Sequence, residues 1–191
     1  KRVGTFTSPH LFNFNERIRI DGKPVSDKKI INSMKLIEEN RGSIQLTYFD
    51  FSTLAALIIF SNLNLDVIIL EVGLGGRLDP VNIVDSDISI VTNVELDHQE
   101  WLGDNTELIG AEKAAIFRRN NIVILGQHDI PKTVIQEASR LKSVLFKVGE
   151  DFDYKVNDIS KSWSYLLKKE HQINLTGLQL NSLSVSSLSC A

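Results

Sequence analysis

Ser8 with His10, Glu71, and Asp97 with His98 each follow a short run that reads as a β-strand. If those strands lie parallel in one sheet, their ends gather on one edge, where open α/β sheets bind ligands. Hydroxyl and carboxylate oxygens with an imidazole suit Mg2+, Mn2+ or Zn2+. Cys190 is the only cysteine and no closely spaced histidine pair occurs, which argues against structural zinc and excludes a disulfide framework. An acid such as Glu71 at a buried strand end is costly unless a cation meets it, and a metal ion is the partner we read there. Each residue also has a blander reading as a cap or a satisfied polar contact, and Ser8 taken alone favours that one.

Glu71 opens the glycine turn EVGLGGRLD, where Gly73, Gly75 and Gly76 let the backbone turn sharply and approach a ligand. A dinucleotide fingerprint is rejected, because the third glycine of G-x-G-x-x-G falls at Leu78. The chain has no G-x-x-x-x-G-K-[ST] loop either. Arg77 and Lys113 could face an anionic ligand, or simply be solvated. Lys113 sits in AEKAAI, among small apolar residues that favour a neutral amine. His128 and His171 carry no supporting pattern and read as surface residues.

The elements that must position these groups alternate between strand and helix. Residues 1–9 and 67–71 read as strands, the second apolar enough to be buried on both faces. Residues 11–20 read as extended, and Asp21-Gly22 as a turn. A helix starts at Ser26 with Ile30, Met34 and Ile37 on one face, and residues 51–60 form an apolar helix. Strands over 88–92, 122–125 and 143–147 alternate with helices over 106–119 and 131–141, the first ending in Arg118 and Arg119. Such alternation predicts an α/β fold with a mostly parallel sheet flanked by helices. Residues 151–175 read as a small hairpin-like antiparallel β add-on within one domain over 1–191, and the serine-rich stretch 182–191 as a final helix. With 42% hydrophobic and 24% charged residues the chain has material for a real core. A net charge of −3 predicts no nucleic-acid partner, and no apolar run is long enough to span a bilayer. A reducing, cytoplasmic setting is expected.

Taken in order, TFTSPHLFNFNERIRIDG (5–22), TYFDFSTLAAL (47–57), EVGLGGRLDPVN (71–82), TNVELDHQEWLGDN (92–105) and AEKAAIFR (111–118) resemble the folylpolyglutamate synthase/dihydrofolate synthase family of the Mur ligase superfamily. The resemblance covers most of residues 1–126 and is loose after 149. It implies an ATP-dependent acid–amino-acid ligase that phosphorylates a carboxylate of dihydropteroate or folate and couples it to L-glutamate. Ser8 and Glu71 match ligands of one Mg2+, with Mn2+ as an alternative ion. His98 matches a ligand of a second. Lys113 matches a lysine that becomes carbamylated and supports that second ion. Thr47, Tyr48, Phe49 and Asp50, with Leu78, Asp79 and Pro80, match segments lining the pterin pocket, although Phe49 reads equally well as a core aromatic. Asn181 resembles an asparagine that touches ATP.

Four departures stand out: Asp50 where Glu is usual, Pro80 where Ala is usual, Gly110 where Arg or Ala is common, and Ala115 where Gly is usual. None removes a metal ligand. The family's phosphate loop would precede residue 1 and its glutamate-binding domain would follow residue 191. The chain is therefore expected to be an internal fragment that does not turn over ATP alone, with a monomeric parent. A non-catalytic protein of the same fold and a Mur-type peptidoglycan ligase are the alternatives, and the TSPHL and GLGGRLD phrases favour the folate branch.

Overall fold

Val3–Phe6 (β1) sits centrally in its sheet because Gly4 and Phe6 turn inward while their neighbours are only partly covered. Ile18–Ile20 (β2) pairs with it antiparallel and Lys23–Pro24 (β3) extends that side. The Asp21-Gly22 turn has positive φ at both residues, 51° and 76°, as a two-residue hairpin requires. In this computed structural model residues 1–158, 160–168, 173–179, 185, 189 and 190 are described. Their contacts divide the chain into two units, one of Lys1–Leu74 with Leu78–Val84, the other of Gly75–Arg77 with Asp85–Ala191.

In the first unit the sheet order is β3-β2-β1-β4, where β4 is Val67–Leu70, parallel to β1. Asp27–Asn40 (α1) follows Ser26 as expected and buries Ile30 and Ile37. Tyr48–Ser61 (α2) starts three residues before the expected 51, and its start is fixed by Thr47 and Asp50. The Asp50 amide donates to Thr47 Oγ1 at 3.1 Å while Asp50 Oδ2 accepts from the Thr47 amide at 2.8 Å. Phe6, Ile18, Ala55, Ala56 and Phe60 form the centre of this core. Burying a side chain such as Phe60 contributes roughly 1.5–3 kcal/mol.

Two expectations for this unit are corrected. Residues 11–20 are not extended throughout: Phe14–Arg17 is a 3-10 turn whose Glu16 side chain holds the amide of the preceding Asn13. Nor is β4 buried on both faces, since Val67, Ile68 and Ile69 are 38%, 48% and 53% exposed. The physical reason is position: β4 is an edge strand, with no strand on its outer side among the described residues.

The second unit holds the all-parallel sheet β5-β6-β7, formed by Ile88–Val91, Ile122–Leu125 and Val144–Lys147. Gln99–Leu102 (α3) and Thr106–Ala114 (α4) connect β5 to β6, and Lys132–Arg140 (α5) connects β6 to β7. Ile109, Val123, Leu125 and Val134 close the core between these helices and strands. Gly110 lets α4 approach the start of α5. A Cβ there would lie 3.0 Å from Val134 Cγ2 and 3.1 Å from Pro131 Cβ, which gives a packing reason for glycine at that position.

The helix expected over 106–119 ends at Ala114 instead. The Ile116 and Phe117 amides bond only three residues back, to the Lys113 and Ala114 carbonyls, which tightens the chain out of the α-helix. Arg118 therefore lies beyond the helix, donating to Asp85 Oδ1 and to the Ile116 and Phe117 carbonyls. The β add-on is a three-stranded antiparallel sheet rather than a hairpin: Phe152–Asn157 (β8), Ser162–Leu167 (β9) and Ile173–Gln179 (β10). His171 and Asn181 lie outside the described residues, as does most of the stretch expected to be a final helix. Among the described residues no helix is long and apolar enough to cross a membrane.

Candidate active site

Parallel pairing of β1 and β4, with Phe6 opposite Leu70, brings their C-terminal ends side by side. The Glu71 amide donates to the Phe6 carbonyl at 2.9 Å, one step past the strands. The Ser8 amide then donates to Glu71 Oε2 at 2.6 Å. Glu71 is solvent-exposed, so the cost of burying an acid, the sequence-level reason for a cation there, does not apply. What points to an ion is the donor set. Among the described residues the Ser8 hydroxyl and Glu71 Oε1 have no hydrogen-bond partner, so two neighbouring residues, joined by the amide–carboxylate bond, each keep a hard oxygen open. Those residues fit Mg2+ or Mn2+, ions that take few protein ligands and complete their shells with water and phosphate oxygens. No group of three or more His, Cys, Asp or Glu poised for a metal occurs among the described residues.

Around this pair the 3-10 turn Phe14–Arg17 organises the TSPHL loop. Glu16 accepts the backbone amides of Leu11, Phe12 and Asn13 at 3.0, 3.1 and 2.7 Å. The Leu11 and Asn13 amides foremost hold its carboxyl below the usual range. Arg17, only 8% exposed, donates from Nε to His10 Nδ1 at 2.8 Å. Its guanidinium carbon stands 5.4 Å from the Tyr48 ring centre and 6.0 Å from that of Phe14.

The residues matched to a pterin pocket divide by role. Phe49 packs on Phe6, with ring centres 5.8 Å apart, and leaves no room for a side chain at Gly73, where a Cβ would lie 2.6 Å from Phe49 Cζ. Asp50 is engaged in capping α2. Asp79 is buried, and its carboxylate ties the glycine turn. Oδ2 accepts from the Gly73 and Leu74 amides at 2.9 and 3.0 Å, and Oδ1 from the Val81 amide at 2.9 Å. Leu78 and Tyr48 stand exposed at 91% and 59%, whereas Thr47 bonds to Asp50 and Pro80 begins a 3-10 turn capped by Asp79.

His98 and Lys113 belong to the second unit. His98 adopts a left-handed conformation, φ 51° and ψ 39°, at the start of α3, with Nε2 3.6 Å from Asp97 Oδ2. Lys113 is half-buried in the last turn of α4, and its ammonium has no acceptor among the described residues. Gly76 packs against that helix, where a Cβ would lie 2.7 Å from the Glu112 carbonyl oxygen. Arg77 pairs with Glu112 at 2.8 Å. The structure thus brings Ser8 and Glu71 together in one unit and carries His98 and Lys113 in the other.

The Mur ligase middle domain family matches residues 26–186. The chain belongs to that family. It is 44% identical over 174 residues to the dihydrofolate synthase/folylpolyglutamate synthase of Buchnera aphidicola subsp. Schizaphis graminum, covering 91% of this chain and 41% of that one. Among solved structures it is similar to Escherichia coli FolC in complex with DHPP and ADP, with a TM-score of 0.90 at 39% identity over 99% of this chain and 45% of the other. A bifunctional folylpolyglutamate synthase/dihydrofolate synthase with Mn, AMPPNP and L-glutamate bound gives a TM-score of 0.88 at 40% identity, with the same coverage. The α/β fold expected from the alternation of strands and helices, and the Mur ligase architecture implied by the resemblance, are thereby established, and the chain spans less than half the length of the relatives it matches.

Sequence reasoning missed the tying role of Asp79, the clamp made by Glu16 and the burial of Arg17. Only the second had a local signal, the N-x-x-E spacing of Asn13 and Glu16 that marks a capping box.

Proposed function

We propose that this chain is the middle part of an ATP-dependent ligase that joins L-glutamate to dihydropteroate, to folate polyglutamates, or to both. The names of its relatives and the ADP, AMPPNP and L-glutamate in similar structures support this reading. The observation that carries it is the Ser8–Glu71 pair, two open oxygen donors at the ends of parallel strands in a Mur ligase middle domain.

In the proposed reaction a carboxylate oxygen of the acceptor attacks the γ-phosphorus of ATP and ADP leaves. The glutamate amine then attacks the acyl carbonyl, phosphate leaves, and the amine proton is released as the amide forms. A divalent ion held by Ser8 Oγ and Glu71 would neutralise charge on the phosphates. The Glu71 carboxylate is oriented for that by the Ser8 amide. His98 and a carbamylated Lys113 would hold a second Mg2+ or Mn2+. Carbamylation, in which the neutral lysine amine adds to CO2 and releases a proton, would turn a cationic side chain into an anion, and Lys113 Nζ has no partner among the described residues that would compete for it. Leu78 and Tyr48 offer exposed apolar surface to a pterin ring. A cytoplasmic setting belongs to the same proposal, because the reaction consumes ATP.

The test is ADP release by the full-length natural protein with ATP, L-glutamate and dihydropteroate or tetrahydrofolate. Turnover dependent on a folate acceptor and lost in Glu71→Gln is expected. Turnover only with UDP-linked peptide acceptors would remove the folate assignment.

A further inference from the structure

We infer that Arg17, steered by His10, is the site that receives the carboxylate of an aromatic acyl acceptor; this deepens the ligase reading and rests on it. Arginine carries five N–H donors and is always charged. Arg17 uses Nε on His10, yet among the described residues neither Nη nitrogen meets an acceptor and no carboxylate lies within ion-pair range. A guanidinium that is 8% exposed and lacks an anion is costly to keep. The rings of Phe14 and Tyr48 offset part of that cost, at roughly 0.5–2 kcal/mol each. They cover the guanidinium's surroundings and cannot accept its edge N–H groups in the plane where a carboxylate binds through two parallel bonds.

The position of Arg17 names the ligand class. Its carbonyl accepts the Thr7 amide at 2.9 Å, one residue before Ser8, so its backbone adjoins the metal-fitting pair. Its side chain reaches Tyr48, the first residue of α2. It therefore lies between the Ser8–Glu71 pair and an aromatic shelf, where an aryl carboxylate would present its anion to Arg17 and its ring to Tyr48. The site is also open. Thr53 Oγ1 is the only fully buried side-chain polar atom without a partner among the described residues, so the two unpartnered Nη nitrogens of Arg17 retain some accessible surface. His10 contributes direction: Nδ1 accepts from Arg17 Nε, which leaves the ring proton on Nε2 as a further donor.

The test is equilibrium binding of pteroate and of its carboxamide to the full-length natural protein, without nucleotide. Wild-type protein is expected to favour pteroate by roughly 10- to 100-fold, the worth of a charged hydrogen-bonded pair. Arg17→Met should bring pteroate down to the carboxamide's affinity and leave the carboxamide unchanged, while Arg17→Lys keeps part of the preference. If Arg17→Met does not fold, the wild-type preference and its reduction in Arg17→Lys decide. Equal binding of both compounds to wild-type protein, or an undiminished preference in Arg17→Met or Arg17→Lys, overturns the inference and leaves the folate reading standing. Binding of neither compound overturns both.

Discussion

Replacing Asp79 by Asn tests whether the glycine turn after Glu71 is held by a carboxylate or merely by its own backbone. Asp79 uses both oxygens, Oδ2 for the Gly73 and Leu74 amides and Oδ1 for the Val81 amide. Asparagine has one acceptor oxygen, so in either orientation of its amide at least one backbone N–H faces an NH2 group. Oriented to keep Gly73 and Leu74, it strands Val81; flipped, it strands the other two. A hydrogen bond to a charged group contributes roughly 1.5–3 kcal/mol, so Asp79→Asn should cost about 2 kcal/mol and Asp79→Ala more. For a chain of this size about 2 kcal/mol lowers Tm by about 4–8 °C. Hydrogen exchange gives the sharper assay because it reads each amide separately, and a chain built of two units need not unfold in one step. In Asp79→Asn the Val81 amide should exchange faster, with Gly73 and Leu74 affected less. Unchanged exchange at all three amides, with a Tm within about 1 °C of wild type, would show that Asp79 does not hold this turn.

Three further outcomes are expected. Gly73→Ala places a Cβ 2.6 Å from Phe49 Cζ and should destabilise by about 1–3 kcal/mol through overpacking, read as a lower urea midpoint. Glu107 accepts the Thr133 and Lys132 amides at 2.9 and 3.1 Å, and these bonds, Thr133 foremost, hold its carboxyl below the ordinary range. Its contribution is therefore present above the unfolded value of 4.5 and lost as pH falls through the lower folded value; wild type should exceed Glu107→Gln in urea stability at pH 6, with the gap closing below pH 4.5. Mn2+ should broaden the NMR signals of Ser8 and Glu71 in this chain, and Glu71→Gln should abolish that broadening; persistence in the variant would place the ion elsewhere.

Much of the scaffold could be read from residue patterns because it follows from periodicity. The helix from Asp27, the apolar α2, the four-residue strands β4 to β7 and the Asp21-Gly22 turn each satisfy a local rule. Edge position was not readable, since VIIL in β4 looks the same whether a neighbour covers it or not. The end of α4 was missed because Ala115 and the residues after it are compatible with helix, and tight bonds to Lys113 and Ala114 decide otherwise. Asp79 and Arg17 were missed for a shared reason. A carboxylate tying amides across a turn, or a guanidinium between two rings, depends on how loops fold back, which no spacing rule reports.

The Ser8–Glu71 pair shows what turns a readable strand phrase into a site. The two residues are 63 apart in sequence and meet only because β1 and β4 share one register, Val3 opposite Val67 through Phe6 opposite Leu70. A one-residue slip would set Val72 or Leu70 where Glu71 now meets the Ser8 amide and would turn Phe6 out of the core. The register is guarded on the inner face. Gly4 lies where any Cβ would come within 2.8 Å of Leu65 Cδ1 and 3.0 Å of the Phe60 ring, and Phe6 is fully buried two residues on. A larger residue at position 4 should therefore weaken ion binding at Glu71 although it touches neither ligand. The same packing that closes the first core brings Ser8 and Glu71 together.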